Sequence, residues 1–546
     1  MTAPASAGAA PEAQESWLPM IVIAMGQALM SFNVAALPVS MGGMVASFDT
    51  PPTTVGTAIV MYSLGVSAFV MLGAKLGQRF GSKLFFQAAV ALFLAAMVLM
   101  VISPTAGVMV AAQGLAGFAG AALVPTLVAL IAAHYRGEQQ AKAVGWLGSA
   151  RAIAGVLAFV IVGYVAAINW RLAFALLIVH AAAILLLSGR LKPAAAKREV
   201  SIDVVGVILA AVAVILISFG FNNLRNWGVL LARPPAPFDL MGVSPAPVMI
   251  AAGIAIFMGF FLWSHRQAAA GNTPLLALEV VDSPRDWAAV GALFAIVATE
   301  GAINFLVPLY IQILQGRSSA ATSVAMMPFM LTVFFTAILI VRLYGRFTPR
   351  QIARWAYGLV IAGTLWLAFV VQNDWSVLPV ILGLITVGLG QGALVTLLFN
   401  VLVTSAPKEL AGDVGSLRGV TQNLAAAVGT AVIGALVVGV LSAGVMRHVT
   451  DNPLISAEMK AEVDLDSINF LSNERLKERF ESTPAAPEQI AEAVRINTET
   501  RLQALRTGFV VLSILALLAM IPCGWLPNYR PEEIPADTGG GTARRP

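Results

Sequence analysis

Long apolar segments separated by short polar stretches follow one another along almost the whole chain. Each segment has about twenty residues, the length that an α-helix needs to cross the hydrocarbon core of a membrane. The pattern predicts an all-α integral membrane protein with about fourteen transmembrane helices. The expected spans lie near 17–37, 53–74, 83–103, 107–133, 143–167, 172–189, 202–221, 246–264, 287–312, 320–341, 353–372, 376–404, 416–443 and 507–526.

The composition agrees with a lipid bilayer as the solvent of this chain. Hydrophobic residues make up 58% of it and charged residues only 11%, whereas soluble domains carry about a quarter charged residues. Cys523 is the only cysteine, which excludes an intramolecular disulfide and a cysteine-cluster metal site. Residues 1–16 contain no Lys or Arg, so the basic start of a cleavable signal peptide is missing and we do not expect one. We expect these residues to form a disordered tail.

Basic residues are concentrated in every second loop of the predicted topology. With the N-terminus in the cytoplasm, the cytoplasmic loops hold most of the lysines and arginines, including those of AKLGQRFGSK (74–83). The short outer loops hold only Arg171, Arg225, Arg233 and Arg317. This asymmetry is the positive-inside pattern. It predicts a multi-pass protein of the cytoplasmic (inner) cell membrane with both termini in the cytoplasm.

The chain also contains an internal repeat. KLGQRFGSK (75–83) aligns with RLYGRFTPR (342–350), and Gln113-Gly114 of the fourth span corresponds to Gln391-Gly392 of the twelfth. Parallel repeats of this kind occur in secondary transporters whose binding site lies between the two halves. We therefore expect two pseudo-symmetric six-helix halves with two intervening helices. The predicted division is 1–16 N-tail, 17–189 N-terminal half, 190–264 linker with two extra helices, 265–526 C-terminal half and 527–546 C-tail.

Several of these segments resemble the Major Facilitator Superfamily, in its 14-helix drug:proton antiporter branch. The similarity rests on AKLGQRFGSK (74–83), VMVAAQGLAGFAGAAL (108–123), SFNVAALP (31–38), NWRLAF (169–174), PLYIQILQG (308–316) and AGDVGSLRGVTQNLAAAVGTAVIGAL (411–436). The resemblance implies a secondary active transporter that exports small, fairly hydrophobic, drug-like or metabolite molecules by alternating access, coupled to protons. It implies no cofactor, and it does not identify the substrate.

The chain departs from this family pattern at several charged positions. Gln78 stands where the loop normally has a carboxylate, Val110 where the fourth helix has an arginine, and Leu29 near the aspartate position of the first helix. The fifth span, GSARAIAGVLAFVIVGY (148–164), lacks the proline of the antiporter motif. Proton coupling therefore needs residues of its own in this chain.

Nearly all charged residues fall in loops, tails or the ends of the predicted spans, and two lie deeper inside a span. Arg151 is about eight residues into the fifth span and Glu300 about thirteen into the ninth, which places both near mid-membrane. Buried charges in a membrane pair with each other or line a water-filled path. We expect these two residues to pair across the halves or to face one central cavity. Three roles are open for Arg151 and Glu300: a structural contact between helices, a proton-coupling switch, or a pair that recognises the substrate.

Uncharged polar residues within the spans form a second group, and Glu300 and Asn304 share a helix face because they are four residues apart. We expect the group to line a substrate cavity; the alternative is that they only make hydrogen bonds between helices. The predicted cavity residues are Gln27, Asn33, Gln113, Asn304, Gln391, Asn400, Gln422 and Asn423.

Glycines in the fourth, twelfth and thirteenth spans, among them Gly117 and Gly429, indicate closely packed helices.

The two repeated basic loops are predicted to gate the cytoplasmic side. The gating residues are Lys75, Gln78, Arg79, Gly81 and Lys83 in the first loop, and Arg342, Arg346 and Arg350 in the second. On the outer side, residues 445–505 are predicted to form a helical hairpin, with a helix that begins at Pro487 and continues into the last span. This insert is a lid, a dock for an outer-side adaptor, or a solvated structural element.

Other classes of function fit the residues less well. The sequence has no nucleotide-binding P-loop motif and no arrangement of a nucleophile and a base, so neither an ATP-driven pump nor an enzyme is expected. The charges of both signs in the outer segment argue against a nucleic-acid partner. The alternatives to an exporter are a metabolite or lipid facilitator or importer of the same fold, and a membrane sensor that does not transport.

Overall fold

The computed structural model describes residues 16–135, 137–192, 201–234, 236–239, 241–344, 346–372, 376–405, 410–450, 452, 473, 476–478 and 486–528. The helices are α1 (Leu18–Val39), α2 (Met41–Phe48), α3 (Pro52–Phe80), α4 (Ser82–Ile102), α5 (Ala106–His134), α6 (Gly137–Ile168), α7 (Trp170–Ser188), α8 (Val204–Trp227), α9 (Pro245–Ala269), α10 (Pro284–Pro308), α11 (Ser319–Leu339), α12 (Pro349–Val370), α13 (Val377–Ser405), α14 (Ala411–Thr450) and α15 (Pro487–Ala519). The described residues also include three short 3₁₀-helices, Leu278–Val280, Ile340–Leu343 and Pro522–Trp525, and one π-helical turn, Leu309–Leu314.

Within the described ranges, 13 helices are long and apolar enough to cross a membrane. They are all the helices named above except α2 and α6, and the described apolar part of α6 is Ile153–Ile168. With α6 the count agrees with the predicted fourteen spans, so the predicted all-α membrane fold is confirmed. Helices are the favoured solution because a lipid-exposed backbone must satisfy its N–H and C=O groups within its own segment.

Local signals in the sequence explain where several helices begin. Proline occupies one of the first two positions of α1, α3, α9, α10, α12 and α15, where its missing N–H costs no helical hydrogen bond. Capping boxes also start α10, with Ser283 and Asp286, and α12, with Thr348 and Gln351. In each box the two side chains satisfy backbone N–H groups that the first turn leaves without partners.

The helix contacts can be grouped by the predicted halves, whose division stays a prediction. In the first group α5 packs against α3 and α4, and α1 against α6 and α7; in the second α13 packs against α11 and α12, and α10 against α14. The groups meet along two seams, α3 with α14 and α6 with α11. The intervening helices α8 and α9 pack against each other, and α8 also covers the seam between α3 and α14.

Glycines permit the closest helix crossings. A Cβ on Gly117 of α5 would overlap the carbonyl oxygen of Tyr62 on α3, and a Cβ on Gly429 of α14 would overlap that of Ala298 on α10. Gly390 of α13 lies in the same way against Ala356 of α12. At Gly114, by contrast, the nearest atom would lie at 3.7 Å, an ordinary contact, so the crossing does not depend on that glycine.

The structure adds to the predicted elements on the outer side of the proposed topology. The short helix α2 follows α1 and was not predicted, and α14 continues to Thr450, beyond the predicted end of its span. A continuous helix from Pro487 into the last span is confirmed by α15. Most of the predicted hairpin between α14 and α15 lies outside the described residues.

Candidate functional site

The intramembrane carboxylate lies on a helix that adjoins both halves. Glu300 belongs to α10, which packs within the second half and also contacts α1 of the first. Its side chain is half-buried and has an interaction partner. Arg151 belongs to α6, but its side chain lies outside the described part of the chain. The pairing of these two residues therefore stays a prediction.

Two of the predicted cavity residues bind each other. The side-chain nitrogen of Asn33 on α1 donates to the Gln113 carbonyl oxygen on α5 at 3.0 Å, and the Gln113 nitrogen donates back to Asn33 at 3.3 Å. Both side chains are fully buried. Each amide thus satisfies one donor and one acceptor of the other. This pair fits the alternative interpretation, a hydrogen-bonded contact between helices of the first half.

The corresponding amides of the second half differ in their hydrogen bonding. Asn304 lies on α10 and Gln391 on α13, the first and fourth helices of that half, as Asn33 and Gln113 lie on the first and fourth of the other. The carbonyl oxygens of Asn304 and Gln391 are both buried without a hydrogen-bond partner in the described part of the molecule. A buried polar atom without a partner is costly. Among the predicted cavity residues, these two oxygens are therefore available to accept a hydrogen bond from a ligand or a bound water.

The other predicted cavity amides are engaged locally or only partly buried. The Asn400 nitrogen donates to the Tyr344 hydroxyl at 3.2 Å, and the Asn423 nitrogen donates to the Gly419 carbonyl oxygen of its own helix at 2.9 Å. Gln27 and Gln422 are half-buried. In the described part of the chain, Asn33 and Gln113 are thus the only two predicted cavity residues joined by a hydrogen bond between their side chains.

The first predicted gating loop ties α4 to the end of α7. Gly81 joins α3 to α4 with a φ of 89°, a left-handed conformation that favours glycine. The Lys83 ammonium donates to the carbonyl oxygens of Gly189 at 2.8 Å and Leu191 at 2.6 Å, just beyond α7. A cation at these carbonyls also complements the negative end of the helix dipole. Gln78 and Arg79 are exposed.

The second loop repeats this arrangement in the other half. Arg350, at the start of α12, donates from Nε and Nη2 to the Leu526 carbonyl oxygen beyond α15, at 3.2 and 3.1 Å. Arg342 and Arg346 are exposed. The last basic residue of each repeated motif thus holds the end of the sixth helix of its own half. Both contacts lie within a half, so they tie its helices together, and a gating role for the two loops stays a prediction.

Charges do meet across the halves near the first loop. Lys75, at the end of α3, interacts electrostatically with Asp413, at the start of α14. The Asp413 carboxylate also lies near Ala277 and Glu279, in the segment between α9 and α10. Sequence reasoning missed Asp413. The acidic residue at this seam lies on the second half, where it faces Lys75, while the family's carboxylate position in the loop is occupied by Gln78.

Gln312 forms a clamp between the halves at the opposite ends of the helices. Its side-chain oxygen accepts the N–H of Gly42 on α2 at 2.6 Å, and its nitrogen donates to the Pro38 carbonyl oxygen of α1 at 3.0 Å. Gln312 lies in the wider helical turn Leu309–Leu314 that follows α10 and is only 7% exposed. Sequence reasoning missed this residue as well. The signal in the sequence was a single polar residue within the apolar run that follows Pro308.

Removing this clamp is expected to loosen the end of the molecule where α1 and α10 terminate. Gln312→Ala deletes both hydrogen bonds and leaves the half-buried Gly42 N–H without its partner, which costs about 1–3 kcal/mol. The measurement is the distance distribution between spin labels at Ala46→Cys and Arg317→Cys, two exposed positions on either side of the clamp. We expect a larger population of long distances in the variant.

Gln315→Ala is the matched control for this prediction. Gln315 follows the same turn, but its nitrogen donates to the Gln372 carbonyl oxygen, within the second half, at 2.8 Å. The control should leave the distances between the halves unchanged. Equal distributions for Gln312→Ala and the unsubstituted protein would contradict a gating role for Gln312.

A cavity of about 1010 Å³ lies apart from these residues. It is bounded by α9, the turn Leu278–Val280 and the start of α10. None of the eight predicted cavity residues lines it. The predicted substrate residues and this lateral cavity are therefore separate features of the molecule.

Comparisons with known proteins agree with this architecture. The sequence profile of the Major Facilitator Superfamily matches residues 23–430. A probable actinorhodin transporter of Streptomyces coelicolor is 25% identical over 420 residues, 74% of this chain and 68% of that protein. The methylenomycin A resistance protein of Bacillus subtilis is 23% identical and the alignment covers 76% of this chain and 86% of that protein. The tetracenomycin C resistance and export protein of Streptomyces glaucescens is also 23% identical, covering 76% and 75%.

Solved structures show the same fold at lower identity. A bacterial homologue of the human lysosomal transporter Spinster, in an inward-facing and unoccupied conformation, has a TM-score of 0.60 at 12% identity and covers 93% of this chain and 97% of that one. An auto-inhibited POT family peptide transporter has a TM-score of 0.57 at 16% identity, covering 93% and 96%. Because the profile match spans most of its length, this chain belongs to the Major Facilitator Superfamily.

Proposed function

We propose that this protein is a secondary active exporter of small, fairly hydrophobic molecules, driven by protons. The observation that carries the proposal is the placement of Glu300 and Asn304 one turn apart on α10, the helix that contacts both halves. A membrane-embedded carboxylate can take up and release a proton. A buried amide oxygen without a partner beside it offers a hydrogen bond to a ligand. One helix thus carries both groups that coupled transport requires.

Alternating access follows from the packing of the halves. The moving bodies are residues 17–189 and 265–526, which rock along the seams of α3 with α14 and α6 with α11. In the proposed orientation the Gln312 clamp closes the outer side, and Lys75 and Asp413 lie at the cytoplasmic side. Protonation of Glu300 weakens its attraction to Arg151 and lets the halves exchange one closed side for the other.

The substrate-binding group in this proposal is the amide pair of the second half. Asn33 and Gln113 satisfy each other, so they hold α1 and α5 together and contribute little to a ligand. Asn304 and Gln391 keep free acceptor oxygens, so they favour a substrate with N–H or O–H donors. The names of the relatives, which refer to resistance to antibiotics and their export, support small organic molecules of that kind as substrates.

Flux in proteoliposomes with an imposed pH gradient tests the proposal. The probes are methylenomycin A and tetracenomycin C, and we expect gradient-driven movement of at least one of them. Gln391→Leu is expected to raise the KM for that probe about tenfold, the effect of losing one buried hydrogen bond. Asn423→Leu is the control, since Asn423 bonds only to its own helix among the described residues, and its KM should stay unchanged.

The remaining outcomes identify the alternatives. Flux at the same rate with and without the pH gradient would identify a facilitator. Substrate movement in the direction opposite to export would identify an importer. Binding without flux would identify a sensor. An unchanged KM in Gln391→Leu, with flux intact, would remove the amide pair from the site while leaving the transport function standing.

A further inference from the structure

The lateral cavity on α9 is built from apolar and aromatic side chains with an acidic mouth. Its apolar wall includes a stripe on α9, and Trp287 of α10 closes one side. Two carboxylates, Glu279 and Asp282, lie in the segment that joins α9 to α10. The full lining is Ile254, Phe257, Met258, Phe261, Leu262, His265, Ala268, Ala269, Leu278, Glu279, Val281, Asp282 and Trp287.

The apolar wall of this cavity faces lipid. Ile254, Met258 and Leu262 follow one another at intervals of four residues on α9, so they share one helix face. They are 45%, 64% and 67% exposed in the isolated chain. Exposed apolar side chains on a membrane-spanning helix contact the hydrocarbon core of the bilayer. An occupant of the cavity therefore comes from the surrounding lipid.

The dimensions of the stripe match one leaflet. From Ile254 to His265 the helix rises about 16 Å at 1.5 Å per residue. Half of the hydrocarbon core of a bilayer is about 15 Å thick. An acyl chain that lies along Ile254, Met258 and Leu262 would thus place its head group beside His265, Glu279 and Asp282, at the membrane surface.

The mouth of the cavity selects a positive charge. Both Glu279 and Asp282 are exposed, and neither makes a hydrogen bond or an ion pair with any residue that the structure describes. Asp286, four residues after Asp282, is by contrast used in the capping box of α10. No Lys or Arg lines the cavity.

We propose that this cavity binds a phospholipid whose head group carries a primary ammonium, of the phosphatidylethanolamine class. The ammonium donates to the carboxylates of Glu279 and Asp282, and one acyl chain fills the apolar wall of α9. A choline head group lacks N–H donors and a glycerol phosphate head group has no positive charge, so both bind less well.

Fluorescence quenching tests the site in the full-length protein. Lipids with brominated acyl chains quench nearby tryptophans, and the protein has 10 of them. The signal of Trp287 is therefore taken as the difference between the unsubstituted protein and Trp287→Phe. In mixed liposomes we expect brominated phosphatidylethanolamine to quench this signal at about three- to tenfold lower mole fraction than phosphatidylcholine or phosphatidylglycerol.

Three variants complete the test. Glu279→Gln with Asp282→Asn should abolish the preference for the ammonium lipid, and Met258→Phe, which adds bulk to the apolar wall without adding a tryptophan, should reduce quenching by all three lipids. The control Glu488→Gln changes an exposed carboxylate in the first turn of α15 and should have no effect. Equal quenching by the three lipids in the unsubstituted protein, or a preference that survives in the double variant, overturns the proposal. The comparison of lipids decides even where a variant does not fold.

Discussion

Replacement of Glu300 by glutamine is expected to abolish transport driven by a pH gradient, with a loss of at least about tenfold. Glutamine keeps the size and the hydrogen-bonding capacity of the side chain but cannot exchange a proton. Glu300 lies on the helix that adjoins both halves, and it is half-buried within a membrane span. The measurement is substrate flux in proteoliposomes with an imposed gradient, beside substrate exchange without one.

The two readouts separate coupling from structure. If Glu300 carries the proton, exchange without a gradient persists in Glu300→Gln while gradient-driven accumulation disappears. Glu488→Gln is the matched control, because Glu488 is an exposed carboxylate on α15. Undiminished gradient-driven flux in Glu300→Gln would remove Glu300 from the coupling role. Loss of both readouts, together with loss of the folded protein, would favour a structural staple.

Substitution of Gly429 by alanine is expected to destabilise the folded protein by about 2–3 kcal/mol. The added Cβ would overlap the carbonyl oxygen of Ala298 and lie 2.7 Å from its carbonyl carbon, so α10 and α14 must move apart. Both atoms belong to backbone, which cannot rotate away as a flexible side chain can. The measurement is the thermal unfolding midpoint of the purified protein in detergent.

Gly439→Ala is the matched control on the same helix. A Cβ at Gly439 would meet no atom within 4 Å. Alanine is also the better helix former by about 1 kcal/mol, so this variant should be as stable as the unsubstituted protein or slightly more stable. If Gly429→Ala were as stable as Gly439→Ala, the close crossing of α10 and α14 would not contribute to the stability of the fold.

Sequence reasoning did well where the physical cause is local. Apolar segments of membrane-spanning length form helices because lipid offers the backbone no other hydrogen-bond partner, and this rule predicted the spans. Pro487 was correctly predicted to start the last long helix. Lys83 and Arg350, the last basic residues of the two repeated motifs, make matching contacts in the structure, which agrees with the predicted repeat. A gating role for the motifs stays a prediction.

Contacts between distant segments were predicted less well. Gln312 and Asp413 were not singled out, because a single polar residue has no local signature for a partner that lies some hundreds of residues away. Asn304 and Gln391 look in the sequence like Asn33 and Gln113, yet only the latter two bind each other. The tilt and the spacing of the helices decide which amides meet. Neither quantity can be predicted from a short stretch of sequence.

The same division holds for function. A family of transporters, which are not enzymes, was correctly predicted from motifs that extend over most of the chain. By itself, then, the sequence determined the membrane environment, the helices and the family, because hydrophobicity and helix length act within each segment. Only the tertiary structure decided which buried amides remain open, where Gln312 joins the halves and where α9 forms a lateral cavity, because those features depend on how helices distant in sequence pack against one another.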